Sequence, residues 1–80
     1  MSRHNTARVA RVLSGALRVW GVSASVELDS DGLVLRTPSG ARLQIAPAAA
    51  PHGWLVFREA RLLGVHAGLP GLLRTIRDEL

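Results

Sequence analysis

The chain has 80 residues, the length of one small domain, and its lack of cysteine excludes a disulfide framework and a thiolate zinc site. Its apolar runs are shorter than the roughly 20 residues that span a membrane, and its N-terminus lacks the apolar core of a secretory signal. All ten cationic side chains are arginine, against six acidic ones, and the net charge of +4 favours an anionic partner. We therefore expect one soluble cytoplasmic domain, residues 1–80, that makes no membrane contact.

The first predicted element is an amphipathic helix over residues 6–20, which Asn5 or Thr6 would cap and Gly21 would end. Its apolar residues recur at helical spacing and are Val9, Leu13, Ala16, Leu17 and Trp20. Its basic residues fall on the opposite side and are His4, Arg8, Arg11 and Arg18. Residues 1–26 contain no acidic side chain, so this part of the chain carries a fixed positive charge.

Three strands are predicted next, because the apolar residues change from helical spacing to alternation. Residues 22–28 alternate apolar and polar side chains, and residues 29–32, DSDG, have the composition of a turn. The alternation continues through residues 33–37 and 41–46. Each of these strands is therefore expected to bury one face and expose the other.

The loop Pro38-Ser39-Gly40 predicts the register of the second and third strands. It suits a type I turn followed by a glycine in the left-handed region, which closes a hairpin. This register places Leu35 opposite Leu43 and Arg36 opposite Arg42. The other expected pairs of this hairpin are Val34 with Gln44 and Leu33 with Ile45. If the DSDG turn closes the preceding hairpin, Leu28 pairs with Leu33 and Ser25 lies beside Arg36.

A second hairpin is predicted from strands 54–58 and 61–65, joined by the two residues Glu59-Ala60. The expected pairs are Phe57 with Leu62, Val56 with Leu63, and Arg58 with Arg61. Both faces of this hairpin are apolar, so either the helices cover opposite sides of the sheet or one face contacts another chain. We favour a partner, because 80 residues seldom supply enough layers to cover both faces.

The last predicted element is a helix within residues 68–80, with Pro70 in its first turn. Its apolar stripe consists of Leu69, Leu72, Leu73, Ile76 and Leu80. The complete order is an N-terminal helix, an antiparallel meander of about five strands and a C-terminal helix. The sequence therefore predicts an α+β fold.

No stretch of the sequence has the residue pattern of a catalytic, metal or cofactor site. The DSDG turn lacks the third acidic position and the distal glutamate of a calcium loop. His52 and His66 have no metal-ligand spacing, and no serine has the context of a catalytic nucleophile. We therefore expect a non-enzymatic protein without cofactor or metal.

The facing arginines are the main functional signal, because guanidinium groups bind carboxylates and phosphates through paired hydrogen bonds. The alternative is that these exposed side chains are simply solvated. We predict a small protein-binding module, of the adaptor, subunit or inhibitor type, that presents an arginine-rich sheet face to an acidic protein surface. It would act as a homodimer or as a subunit of a hetero-complex. The expected binding residues are Arg36, Arg42, Arg58, Arg61, Trp54 and Phe57.

The second candidate function is sequence-independent binding to a nucleic-acid backbone. The residues expected to make it are Arg8, Arg11, Arg18, Arg36 and Arg42. The aromatic residues Trp20, Trp54 and Phe57 fall in apolar stripes, which favours core packing over base stacking.

Overall fold

The computed structural model describes residues 2–30, 32–48 and 53–80 and confirms the predicted α+β order of helix, five-stranded antiparallel meander and helix. The helices are α1 (Ser2–Trp20) and α2 (Leu69–Asp78). The strands are β1 (Ser25–Asp29), β2 (Gly32–Arg36), β3 (Arg42–Ala48), β4 (Gly53–Arg58) and β5 (Arg61–His66). Asp31 of the DSDG turn and His52 lie outside the described residues, and so do the side chains of residues 2–5, which include His4.

Helix α1 begins at Ser2, four residues earlier than predicted, so the expected cap at Asn5 or Thr6 is wrong. Thr6 lies inside the helix with a buried side chain, on the same side as the apolar stripe. The predicted end at Gly21 is confirmed. Gly21 has a φ of 70°, and the Val22 N–H donates to the Leu17 carbonyl, which closes the last turn.

The register predicted for the first three strands is confirmed. Leu35 pairs with Leu43, and Arg36 lies between Ser25 on one side and Arg42 on the other. The loop before β3 also has the predicted form, because the Gly40 N–H donates to the Thr37 carbonyl and Gly40 has a φ of 93°.

The hairpin of β4 and β5 contains a β-bulge that corrects one predicted pair. Phe57 pairs with Leu62 as expected, but Val56 pairs with Gly64 and not with Leu63. Leu63 is the inserted residue, and its side chain packs against the core. The bulge therefore turns Val65 away from the helices, whereas a regular alternation would have pointed it inward.

Both helices pack on the same face of the sheet. The buried apolar residues of α1 and α2 join those of β2, β3 and β4 in a single core cluster. Its members are Val9, Leu13, Leu17, Leu33, Leu35, Leu43, Ile45, Val56, Leu72 and Ile76. The sheet residues among them are cross-strand partners of one another, so they share one face. No described element covers the opposite face.

The bulge also brings His66 to the helix side of the sheet. A Cβ on Gly64 of β5 or on Gly71 of α2 would lie 3.0 Å from the nearest imidazole nitrogen, so both glycines make room for the ring. The His66 Nε2 lies 2.7 Å from the Thr75 Oγ1, within hydrogen-bond distance. This contact joins β5 to α2, beside the core contacts of Leu72 and Ile76.

Candidate protein-binding face

The sheet face that points away from both helices is called the open face. Its side chains follow from strand alternation, because the residues between Leu33, Leu35, Leu43, Ile45 and Val56 point the other way. One row across β1 to β5 consists of Glu27, Val34, Gln44, Phe57 and Leu62. The face therefore changes from acidic and polar on β1 to apolar on β4 and β5.

The hairpin patch is the apolar part of the open face and consists of Leu55, Phe57, Leu62 and Val65. Leu55 pairs with Val65 and Phe57 pairs with Leu62, so the four side chains are neighbours across two strands. Leu62 is 52% exposed and Val65 is 53% exposed. Leu62 and Val65 are therefore the most exposed members of the patch. The bulge creates the patch, because it places Leu62 and Val65, three residues apart, on one face.

The two arginines of the open face lie in the row next to the patch. Arg36 of β2 is exposed and its cross-strand partner Arg42 of β3 is half-buried. Neither guanidinium makes a salt bridge with a described residue. Like charges directly opposite one another on a sheet cost up to about 1 kcal/mol.

Glu59 joins the turn of the second hairpin to β3, a contact that the sequence analysis missed. Its carboxylate Oε2 accepts a hydrogen bond from the Arg42 N–H at 2.7 Å, and its own N–H donates to the Arg42 carbonyl at 3.1 Å. The Glu59 carboxylate thus accepts a hydrogen bond from β3 just beyond the end of β4, where a backbone carbonyl of a longer strand would accept it. The partners are 17 residues apart, so only the sheet register could have predicted the contact.

The structure does not bring all four paired arginines to one face. Arg58 pairs with Leu43 across the sheet and therefore lies on the helix side. Its Nη1 contacts the Glu79 Oε1 at 2.5 Å, which offsets the unfavourable position of a carboxylate after the C-terminus of α2. Arg61 faces Arg58 at the turn and is exposed. Only Arg36 and Arg42 therefore remain as cations of the open face among the paired arginines.

The two aromatic residues predicted to bind a partner also lie on different faces. Phe57 belongs to the hairpin patch. Trp54 pairs with Pro47 and His66 and packs against the core, so it lies on the helix side. Of these two aromatic residues, Phe57 is therefore the one that lies on the open face.

The arginines predicted for nucleic-acid binding are divided between two sides of the molecule. Arg8, Arg11 and Arg18 are exposed on α1, opposite its buried stripe. Arg36 and Arg42 lie on the open face, with the sheet between the two groups. These five residues therefore do not form one surface.

The chain matches no known protein-family model, no curated protein and no solved structure. No helix in the described part of the chain is both long and apolar enough to cross a membrane. Within residues 2–30, 32–48 and 53–80, no three histidine, aspartate or glutamate side chains are close enough together to hold a metal ion.

Proposed function

We propose that the chain is a non-enzymatic protein-binding module of the adaptor, subunit or inhibitor type, whose open face docks on an acidic surface of another protein. One observation supports this proposal above all. Both helices pack on one face of the sheet, and the other face carries an exposed apolar patch beside two arginines without a described salt-bridge partner. The absence of cysteine fits a reducing compartment such as the cytoplasm.

Binding would begin with electrostatic attraction and end with apolar burial. The net charge of +4 attracts an acidic partner over long range and raises the association rate at low salt. Contact then removes Leu62 and Val65 from water, which stabilises the complex by about 25 cal/mol for each Å² of apolar surface buried. Carboxylates of the partner would bridge Arg36 and Arg42 through paired hydrogen bonds. Phe57, between these two groups, is the central anchor.

An acidic partner fits the open face better than a second copy of this chain. Two copies carry a net charge of +4 each and repel one another at long range. The acidic side chains that β1 places on the open face, Glu27 and Asp29, lie on the outer strand, away from the hairpin patch. A partner centred on β3 to β5 meets the two arginines and the apolar patch, and Glu59, at the β4–β5 turn, is the acid beside Arg42.

Matched baits test the proposal. Immobilised wild-type chain would be compared with Arg36→Glu/Arg42→Glu, with Leu62→Ser/Val65→Ser, and with the control Arg8→Glu/Arg11→Glu in nuclease-treated extract of the source cells. The control changes the net charge as much as the first variant but on α1. All altered side chains are at least partly exposed, so each variant should keep the wild-type circular dichroism spectrum.

We expect an acidic protein that the wild type and the α1 control retain equally, and that both open-face variants retain at least about tenfold less, since each loses a central interface contact. Equal retention by all baits would contradict the proposal. So would a wild-type homodimer in sedimentation velocity that Leu62→Ser/Val65→Ser converts to monomer, because the occupant of the face would then be a second copy.

A further inference from the structure

The two helices expose a second cationic surface, on the side of the molecule opposite the open face. Its cations are Arg8, Arg11, Arg18, Arg74 and Arg77, and all five side chains are exposed. Among the described side chains of α1 and α2, Asp78 is the one exposed acid. We call this surface the helix layer. Half of the ten arginines of the chain lie on it.

The three arginines of α1 form a line along the helix. At about 100° per residue, Arg8, Arg11 and Arg18 fall within about 80° of arc, opposite the buried Leu13. At about 1.5 Å per residue, Arg8 and Arg18 are separated by about 15 Å along the axis. Gly15 lies between them and contributes no side chain, so the line is open to a long, narrow ligand.

Arg77 of α2 lies beside the C-terminal end of α1. The Arg77 guanidinium lies 5.7 Å from the centroid of the Trp20 ring, in cation–π contact with the last residue of α1. Next to it is an open cavity of about 440 Å³. The cavity is lined by Trp20, Pro70, Leu73, Arg74, Arg77 and Asp78. The ring restrains Arg77 before a ligand arrives, which reduces the entropy lost on binding.

We propose that the helix layer binds the phosphate backbone of a double-stranded nucleic acid. A duplex presents one negative charge for about every 1.7 Å of its axis, so a line of about 15 Å meets several phosphates. Such binding needs cations but no apolar anchors. The surface fits this requirement, because Val19 is the one strongly exposed large apolar side chain on the described parts of the two helices.

The same features disfavour other polyanions. An acidic protein or a membrane surface would be held by apolar side chains in addition to charge, and the helix layer offers few. A single strand would be held by stacking on aromatic rings. Here Trp20 is already covered by Arg77 and Trp54 packs against the core. This inference does not depend on the proposed function of the open face, because the two surfaces share no residue.

Salt-dependent binding to labelled duplexes tests the inference. Fluorescence anisotropy would be measured for duplex DNA and duplex RNA between about 50 and 200 mM salt, with a single strand, polyglutamate and anionic lipid vesicles as competitors. Five phosphate contacts predict a slope of about −4.5 for log affinity against log salt on duplex DNA. The variant Arg8→Gln/Arg11→Gln should bind roughly 10- to 100-fold more weakly at about 50 mM salt, with a slope less negative by about 2.

Two further variants separate a local surface from a general effect of net charge. Arg36→Gln/Arg42→Gln removes the same charge from the open face and should lower the affinity by less than about threefold, because these residues lie away from the duplex. Asp78→Asn should raise the affinity by about two- to fivefold, whereas Glu27→Gln, with the same change in net charge, should leave it nearly unchanged. A gain of affinity cannot result from unfolding.

Three results would overturn the inference. The first is no duplex binding at about 50 mM salt. The second is an equal loss of affinity in the α1 and open-face variants, which would show that net charge alone is responsible. The third is stronger competition by polyglutamate, vesicles or the single strand than by unlabelled duplex at equal charge, because the ligand would then belong to another class.

Discussion

Glu59 and Ala60 have backbone conformations that their side chains disfavour. Their φ angles are 48° and 72°, in the left-handed region that a two-residue hairpin turn of type I′ requires. Each non-glycine residue in this region costs about 1–2 kcal/mol. The hydrogen bond from the Arg42 N–H to the Glu59 carboxylate returns about 1 kcal/mol or more, because its acceptor is charged. The turn is thus held by its contact with β3 and not by its own residues.

Ala60→Gly should raise the free energy of unfolding by about 0.5–1 kcal/mol. It removes the steric cost at a φ of 72°, and the added entropy of the unfolded chain cancels only part of that gain. Urea unfolding followed by tryptophan fluorescence measures the difference. Ala41→Gly is the matched control, because Ala41 lies before β3 without a positive φ, and it should lower stability by about 0.5–1 kcal/mol. A similar loss in both variants would contradict the turn geometry.

The backbone conformation of a turn can be predicted from the sequence where the turn residues themselves require it. Pro38, Ser39 and Gly40 suit the turn that they form, and so the Arg36–Arg42 pair was correctly predicted. The Glu59–Arg42 contact was missed because Glu and Ala are poor residues for this turn, and what stabilises it lies on another strand.

The elements meet most closely where β5 packs against α2. His66 lies between Gly64 and Gly71, and Thr75 lies within hydrogen-bond distance of its Nε2. A glycine in a helix ordinarily costs about 1 kcal/mol relative to alanine. At Gly71 that cost provides the space that the imidazole ring fills. Space for His66, and not helix propensity, therefore explains Gly71.

Gly15→Ala and Gly71→Ala should have different effects, although both glycines lie in helices. A Cβ at Gly15 meets no atom within 4 Å, so this change should stabilise the protein by about 1 kcal/mol. A Cβ at Gly71 would lie 3.0 Å from the His66 Nδ1, so the ring must move away from Thr75 and the gain should be absent. Thermal unfolding of both variants measures this.

The same substitution in a second background shows whether the His66 ring is what removes the stabilisation expected for Gly71→Ala. In a His66→Ala chain, Gly71→Ala should recover the stabilisation that it lacks in the wild type, because no ring remains to be displaced. If Gly71→Ala has the same effect with and without His66, the contact between β5 and α2 differs from the one described.

The spacing of apolar residues along the chain predicted the helices and strands well where that spacing was regular. It predicted α1 apart from its start, the register of β1 to β3 and the stripe of α2, and the structure confirms these. It failed within β5, because Leu63 is inserted opposite Val56 and every later residue changes face. Gly64 within a strand is a known signal of a bulge, but it does not say which neighbour is inserted.

The whole molecule has two sides of different chemistry. The helix layer is cationic with few apolar side chains, and the open face combines an apolar patch with the Arg36–Arg42 pair. The sequence does not show whether the helices cover one face of the sheet or both. A residue that packs under a helix and a residue that packs under a partner are equally apolar. The position of α2 decides it, because Leu72 and Ile76 pack α2 on the same face of the sheet as α1.

Thiol labelling of single-cysteine variants tests most directly that one sheet face is open and that the bulge forms it. The chain has no cysteine, so Leu62→Cys, Val65→Cys and Val56→Cys each report one position. Leu62 and Val65 are half exposed and Val56 is fully buried, so the first two thiols should react at rates within about threefold of one another and at least about 100 times faster than the third. Protection of Val65→Cys to the level of Val56→Cys, with Leu62→Cys reactive, would contradict the bulge and the patch that defines the binding face.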